Sequence, residues 1–228
     1  MNVFDGLRKK KKINVFPLPG YESLLDIPEL HPKPAGAFIP KWFKSIHPKK
    51  GTIKDCPVIP EYLSQGIVVP MWCDLYIKVT DNELFIETPQ NYFEVEQHEN
   101  GQFLNYINPD DNRIYGIVKL ICPWLIQTSK NLSVYQLPTT YHFNADFSVM
   151  PGTIRTDVHH TINQQLFIHK KNEWIFIQRG TPIVHYIPYI NKKIKYKIGH
   201  PTKKQLRSYN RQEMILSTKF FSAYKLNR

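Results

Sequence analysis

Glycine is scarce in this chain, 10 of 228 residues, and no glycine pair stands at phosphate-loop spacing ahead of Lys-Ser or Lys-Thr. That excludes the loop whose backbone N–H groups cradle nucleotide phosphates. No serine or cysteine sits in a nucleophile elbow, which removes the most familiar acyl-transfer arrangement. Cysteine is rarer still: Cys56, Cys73 and Cys122 are odd in number and far apart. They make no disulfide framework, and without a C-x-x-C pair they do not suggest a thiolate zinc site. No apolar run approaches the roughly 18 residues that cross a bilayer as a helix. Met1 to Lys12 is charged and lacks the apolar stretch of a secretory signal, so synthesis and retention in the cytosol are expected.

Aromatic residues, by contrast, are plentiful. Thirteen Phe, 13 Tyr and 4 Trp within a 42% hydrophobic composition supply ample core, so disorder over the whole chain is excluded. The net charge of +11 is segregated. Residues 1–54 hold 11 Lys/Arg and 4 Asp/Glu, net +7; residues 55–190 hold 8 and 14, net −6; residues 191–228 hold 11 and 1, net +10. An acidic body with two basic ends points to an anionic partner for the ends, either nucleic acid or the acidic face of a neighbouring subunit.

The order of elements follows from proline and periodicity. Residues 17–60 are dense in proline, which forbids long helices and central strands. We expect residues 1–60 to form a basic, proline-rich arm wrapped over the surface and pinned by Leu24, Leu25, Ile27 and Phe38. Ile39–Ile46 suits one or two helical turns with Trp42, Phe43 and Ile46 on one face. Asp55–Gly66 reads as a turn and short helix closed by Gly66.

Residues 61–190 are expected to form the β domain. Ile67–Val79 reads as one long strand with a proline interruption, with Trp72, Asp74, Tyr76 and Lys78 outward and Cys73, Leu75, Ile77 and Val79 inward. Thr80–Glu83 has hairpin-turn chemistry before the return strand Leu84–Glu87. Residues 88–113 are polar and read as a loop excursion. Ile114–Cys122 is a further strand. Trp124–Gln127 and Leu132–Leu137 are expected to pair as a hairpin, as are Gln164–His169 and Trp174–Gln178 across Lys170–Glu173. One ring of Trp174 and Phe176 is expected to face the core. Ile183–Pro188 should end, or lie at an edge, by Pro188. In residues 191–228, Thr202 reads as an N-cap. Leu206, Tyr209, Glu213, Leu216, Phe220 and Ala223 then follow at helical steps, giving a basic amphipathic helix.

Gly152-Thr-Ile-Arg-Thr-Asp157, a strand pair, and Arg179-Gly-Thr-Pro-Ile183 together resemble the end of the dUTPase fold. Gly152, Ile154, Asp157, Gly180 and Ile183 fall in step with that family's motifs. The resemblance implies a dUTPase-like, β-clip-like C-terminal half. It also places Arg155 where the family has its water-activating Asp, and Val158 where it has its uracil-stacking Tyr. A permanently charged guanidinium cannot deprotonate water, so the resemblance speaks for the fold and against the reaction. A second resemblance spans about Ile39 to Pro188. Ile39–Ile46, Lys54–Val79, Cys122-Pro-Trp-Leu-Ile126 and the Gly152/Gly180 motifs are similar, in that order, to a family of tailed phages, particularly marine ones, and some bacteria. It is catalogued as a domain of unknown function.

The fold expected is mainly β, a sandwich or distorted barrel, with the proline-rich arm and the C-terminal helix appended. The function expected is that of a non-enzymatic phage-type accessory, virion or assembly protein acting by binding, in host cytoplasm or virion. A homo-oligomer or virion neighbour would be engaged through the C-terminal helix, with nucleic acid the competing partner. No membrane span, cofactor or metal is expected. One alternative is a nucleotide-binding protein on a degenerate dUTPase-like pocket, with Arg155, Asp157, His159 and Arg179 as its polar group. Arginine suits phosphate because its fork donates two parallel hydrogen bonds. The other is a non-haem iron oxygenase using Asp157, His159 and His185, although its usual His-x-Asp order is missing. His142, His169 and His185 otherwise read as core or edge histidines.

Overall fold

The computed structural model describes residues 11–47, 51–89, 94–97, 105–192 and 198–211. By contact the chain divides into two units, one of Met1–Pro40 with Ser64–Asn191 and one of Lys41–Leu63 with Lys192–Arg228. The described residues of the proline-rich stretch up to Pro40 group with the β strands.

The first unit is mainly β. Its strands are β1 (Ile13–Pro17), β2 (Lys33–Pro34), β3 (Ile67–Pro70), β4 (Leu75–Val79), β5 (Leu84–Glu87), β6 (Val95–Gln97) and β7 (Gly116–Leu120). They continue as β8 (Trp124–Thr128), β9 (Leu132–Pro138), β10 (Phe147–Val149), β11 (Gly152–Ile154), β12 (Gln164–Ile168), β13 (Trp174–Ile177) and β14 (Pro182–Ile190). They form four antiparallel sheets, ordered β1-β8, β10-β12-β7-β6, β11-β9-β14-β3-β2 and β13-β4-β5. Strand alternation supplies the burial. Leu166 and Ile168 of β12, Leu75 and Ile77 of β4, and Ile175 and Ile177 of β13 point into one apolar cluster that all four sheets feed.

Several sequence expectations change here. Ile67–Val79 is not one strand but two, β3 and β4, in different sheets, with Met71, Trp72 and Cys73 fully buried between them. Trp72 thus lies inside, because the outward alternation begins only at β4. Neither expected hairpin across Thr128–Asn131 or Lys170–Glu173 forms. β9 gives its two edges to β14 and β11, leaving none for β8, and β12 gives its edges to β10 and β7, leaving none for β13. Both connections are arches between sheets. Each turns on an asparagine in the left-handed region, Asn131 at φ 63° and Asn172 at φ 61°, which Asn tolerates better than most residues. Thr80–Glu83 does close a hairpin: the Thr80 N–H donates to Glu83 O at 2.9 Å, and the Glu83 N–H donates to Thr80 Oγ1 at 3.0 Å.

The proline rule holds on one side only. β14 runs two residues past Pro188, but β3 leaves it at Tyr186, so from Ile187 onward only β9 pairs with it. The polar stretch 88–113 carries β6 on β7 and a short helix α3 (Pro109–Asn112) capped by Asn108. The early prolines punctuate three 3-10 turns, and Leu24, Leu30 and Ala35 are buried while Leu25 is exposed. Gly66 is held at φ 73°, where a Cβ would lie 2.0 Å from the Tyr186 carbonyl oxygen. Only glycine satisfies both the backbone and that approach.

The second unit holds α1 (Lys41–Ser45) and most of α2 (Val58–Ser64). The Lys54 ammonium sits 5.6 Å from the Phe43 ring centroid. A helix over 203–211 starts as the sequence predicts. Thr202 Oγ1 accepts from the Gln205 N–H at 3.2 Å, and Gln205 Oε1 accepts from the Thr202 N–H at 2.8 Å, a reciprocal capping box. The rest of the expected stripe, from Glu213 to Ala223, lies outside the described residues. Among the described residues no helix is long and apolar enough to cross a membrane.

Candidate functional site

Arg155 and Asp157 follow β11 on a turn of 155–159, in which the Val158 and His159 N–H groups both donate to Arg155 O. Thr156 between them is fully buried. Its hydroxyl meets Thr128 Oγ1 at 2.9 Å, and its carbonyl accepts from the Thr128 N–H at 3.1 Å and from His160 Nδ1 at 3.0 Å. With Thr156 pinned, its neighbours meet on the other side of the turn. Arg155 Nε and Nη2 donate to the two Asp157 carboxylate oxygens at 2.9 and 3.1 Å. Asp157 Oδ2 also accepts from the Asn131 N–H at 2.9 Å, and Asn131 O accepts from the Asn191 N–H at 3.0 Å. With its amide oxygen turned toward the guanidinium, Asn191 accepts from Arg155 Nε and Nη1 at 3.2 Å.

The pair therefore ties the β8–β9 arch to the end of β14. The Asp157 side chain is 3% exposed and that of Arg155 is 52%. The Arg155 hydrogen bond holds the carboxyl below its usual range, against a desolvation cost and with help from the Asn131 N–H; Asp157 in turn raises the guanidinium. Both carboxylate oxygens are engaged. Val158, at the position of the stacking Tyr in the dUTPase pattern, is 71% exposed.

His159 lines a cleft of about 300 Å³ together with Lys119, Gln136, Thr161, Asn163, Gln165 and β11. Its wall continues into the core as a buried polar chain. Gln136, 4% exposed, donates from Nε2 to Met150 O at 3.0 Å, and its Oε1 accepts from the Tyr186 hydroxyl at 2.9 Å. The Tyr186 oxygen accepts from Gln164 Nε2 at 2.8 Å, and the same nitrogen donates to Ile162 O at 2.6 Å. Gln164 Oε1 is buried with no hydrogen-bond partner among the described residues. Burial pushes Tyr186 well above the ordinary phenol range. It pushes the neighbouring Cys122 thiol up to about 12, with Trp124 and Gln164 pulling the other way.

Lys119 is already paired with Glu96. The cleft thus offers amides, hydroxyls and one imidazole, with no carboxylate or thiol among its described lining residues. That set suits recognition by hydrogen bonds. Sequence reasoning missed Gln136, Gln164 and Tyr186. The available signal was glutamine at an inward position of β12, in step with Leu166 and Ile168.

Arg179 does not join this group. It precedes β14 whereas Asn191, which touches Arg155, follows it. A nine-residue strand lies between, a span of roughly 30 Å. The Arg179 N–H donates to Asp74 Oδ1 at 2.8 Å, and its guanidinium is 3.6 Å from Glu29. His185 is also elsewhere, its Nε2 bonded to Gln65 O at 2.5 Å. His169 bridges Ser148 Oγ and Arg113 O at 2.8 and 2.7 Å. Among the described residues no group of three His, Cys, Asp or Glu side chains converges to hold a metal ion. Asp157, His159 and His185 are not brought together.

No protein-family model matches this chain, and no curated protein matches it. Among solved structures, the native EIAV dUTPase is similar at 11% identity and a TM-score of 0.34, over 61% of this chain and 86% of that one.

Proposed function

We propose that this is a non-enzymatic accessory or assembly protein acting by binding, akin to the tailed-phage family resembled in Ile39–Pro188, in host cytoplasm or virion. On this reading its β unit is a sandwich or distorted barrel, and the basic segment 191–228 engages another copy or a virion neighbour. The observation that carries the reading is the closed Arg155–Asp157 pair. A water-activating base must take up a proton at the working pH, and Asp157 is held ionised by the bidentate Arg155 fork and the Asn131 N–H, which keep its carboxyl below the usual range.

Two measurements test it. Clean protein with magnesium should release no pyrophosphate from dUTP above a buffer control, and Arg155→Asp alone should remain inactive because substrate orientation is also missing. Sedimentation of the full chain should show self-association that weakens with salt. Steady hydrolysis, or a monomer at every concentration, would overturn the reading. The His159 cleft supports a second reading, a binding site for a small polar ligand such as a nucleotide. A thermal shift with dUMP or dUTP that His159→Ala abolishes would favour it.

A further inference from the structure

The sheet β13-β4-β5 turns an aromatic face outward. Strand register sets Trp174, Lys78 and Phe85 side by side in one row, and Phe176, Tyr76 and Glu87 in the next. Four of these six positions are aromatic, and all four rings are 39–49% exposed. Tyr76 and Phe176 already stack on each other at 4.7 Å between centroids, 25° from parallel. Neighbouring strands lie about 4.8 Å apart and alternate residues along a strand about 7 Å apart, so the rings form one contiguous patch. Contiguous exposed aromatics of this kind mark interaction sites.

Charge selects the occupant. The two turns at one end of the sheet carry Asp81, Glu83 and Glu173. Their lysines are already paired, Lys171 with Asp81 and Lys170 with Asp146 and Glu173. The one cation within the rows, Lys78, stands opposite Phe85, and their one carboxylate, Glu87, stands opposite Tyr76. A phosphate backbone needs cations that can neutralise it, and here carboxylates outnumber them: Asp81, Glu83, Glu87, Asp146 and Glu173 stand against Lys78, Lys170 and Lys171, net −2. A basic peptide with apolar side chains fits instead. The chain contains such a peptide. Residues 212–228 interleave Met214, Leu216, Phe220, Phe221 and Tyr224 with Lys219, Lys225 and Arg228, and Glu213 is their one acid. With three Lys/Arg and one Glu they carry net +2, within a segment 191–228 of net +10, while residues 55–190 carry −6.

We propose that the aromatic face of β13-β4-β5 is the docking surface for residues 212–228 of a second copy of this chain. The inference rests on the assembly reading above and names its acceptor surface. The rings supply the apolar contact, and the net negative charge of the rows and turns steers the lysines and arginine.

The test uses the full chain. Trp174→Ala/Phe176→Ala removes two exposed rings and should leave the fold intact, as melting will report. It should raise the dissociation constant for self-association at least tenfold, as expected for loss of aromatic anchors. A photo-crosslinking benzoylphenylalanine at position 176, in mixed light and heavy-isotope protein, should capture residues 212–228 of the other isotope. If association persists unchanged in the double variant, or the crosslinks stay within one chain or land elsewhere, this inference falls while the assembly reading stands. If the full chain never self-associates, both fall. Oligothymidylate binding that the double variant abolishes would overturn it in favour of single-stranded nucleic acid.

Discussion

The two faces of the sheet β13-β4-β5 both carry large apolar side chains and have opposite surroundings. Leu75, Ile77, Val79, Ile175 and Ile177 are at most 3% exposed, while Tyr76, Phe85, Trp174 and Phe176 stand half in water. Apolarity separates them only at Lys78 and Glu87; the two-residue period separates them throughout. Trp174 and Phe176 are two positions apart and so share a face, and that face is the outer one. The expectation that one of them points inward is corrected by the register, which places Ile175 and Ile177 there. The inside face is branched aliphatic and interlocks with the core. The outside face is aromatic, and its larger rings bury part of their area on one another while offering the remainder.

The sharpest test of this contrast is Ile177→Ala. It empties a position 1% exposed in the core cluster and should cost about 2–5 kcal/mol in denaturant unfolding. A cost below that of an outside ring would break the comparison. Tyr186→Phe comes next. It removes the hydroxyl between Gln136 and Gln164, leaving the buried Gln136 Oε1 without its donor while Gln164 Nε2 keeps Ile162 O. A loss of about 1–3 kcal/mol is expected, against near zero if water occupies the site.

The inside should also resist protons. Burial lowers the affinity of His185 and His142 for a proton, against hydrogen bonds to the Gln65 and Phe38 backbone. The unfolded chain therefore takes up these protons first as pH falls through about 6.5. Stability from this source is full above that pH and is lost on descending through it toward the lowered folded values. Melting temperature should drop between about pH 7.5 and 5.5. His185→Gln, whose amide can still donate to Gln65 O, should show a shallower drop. The smallest effect is expected outside: Trp174→Ala should shift unfolding by less than about 1 kcal/mol. An effect as large as that of Ile177→Ala would place Trp174 in the core and sink the distinction.

Much of the strand content was legible. Runs such as Gln164–Ile168, Trp174–Ile177 and Leu84–Glu87 form strands where their alternation and branched or aromatic side chains predict them. The Thr80–Glu83 hairpin, the Gly66 helix stop and the Thr202 cap were equally local. In each, residues a few positions apart complete the hydrogen bonds themselves, so sequence proximity is sufficient. The candidate site was legible only in part. Arg155 and Asp157 meet because a short turn joins them. Arg179 looked close in motif order but lies across the length of β14, and the polar chain from Gln136 through Tyr186 to Gln164 draws on β9, β14 and β12.

The sequence by itself determined a mainly β chain, the alternation of its strands, the turn and cap chemistry, and the segregation of charge toward its ends. Those properties reside in single residues and near neighbours. Only the tertiary structure decided which strands pair. Four polar residues ending near an asparagine read as a hairpin whether the chain turns back or crosses to another sheet. β9 and β12 cross because each strand has two edges, and β14, β11, β10 and β7 occupy them. That competition for edges also decided which face of β13 meets the core and which faces water, because register, not composition, assigns a side chain to a side.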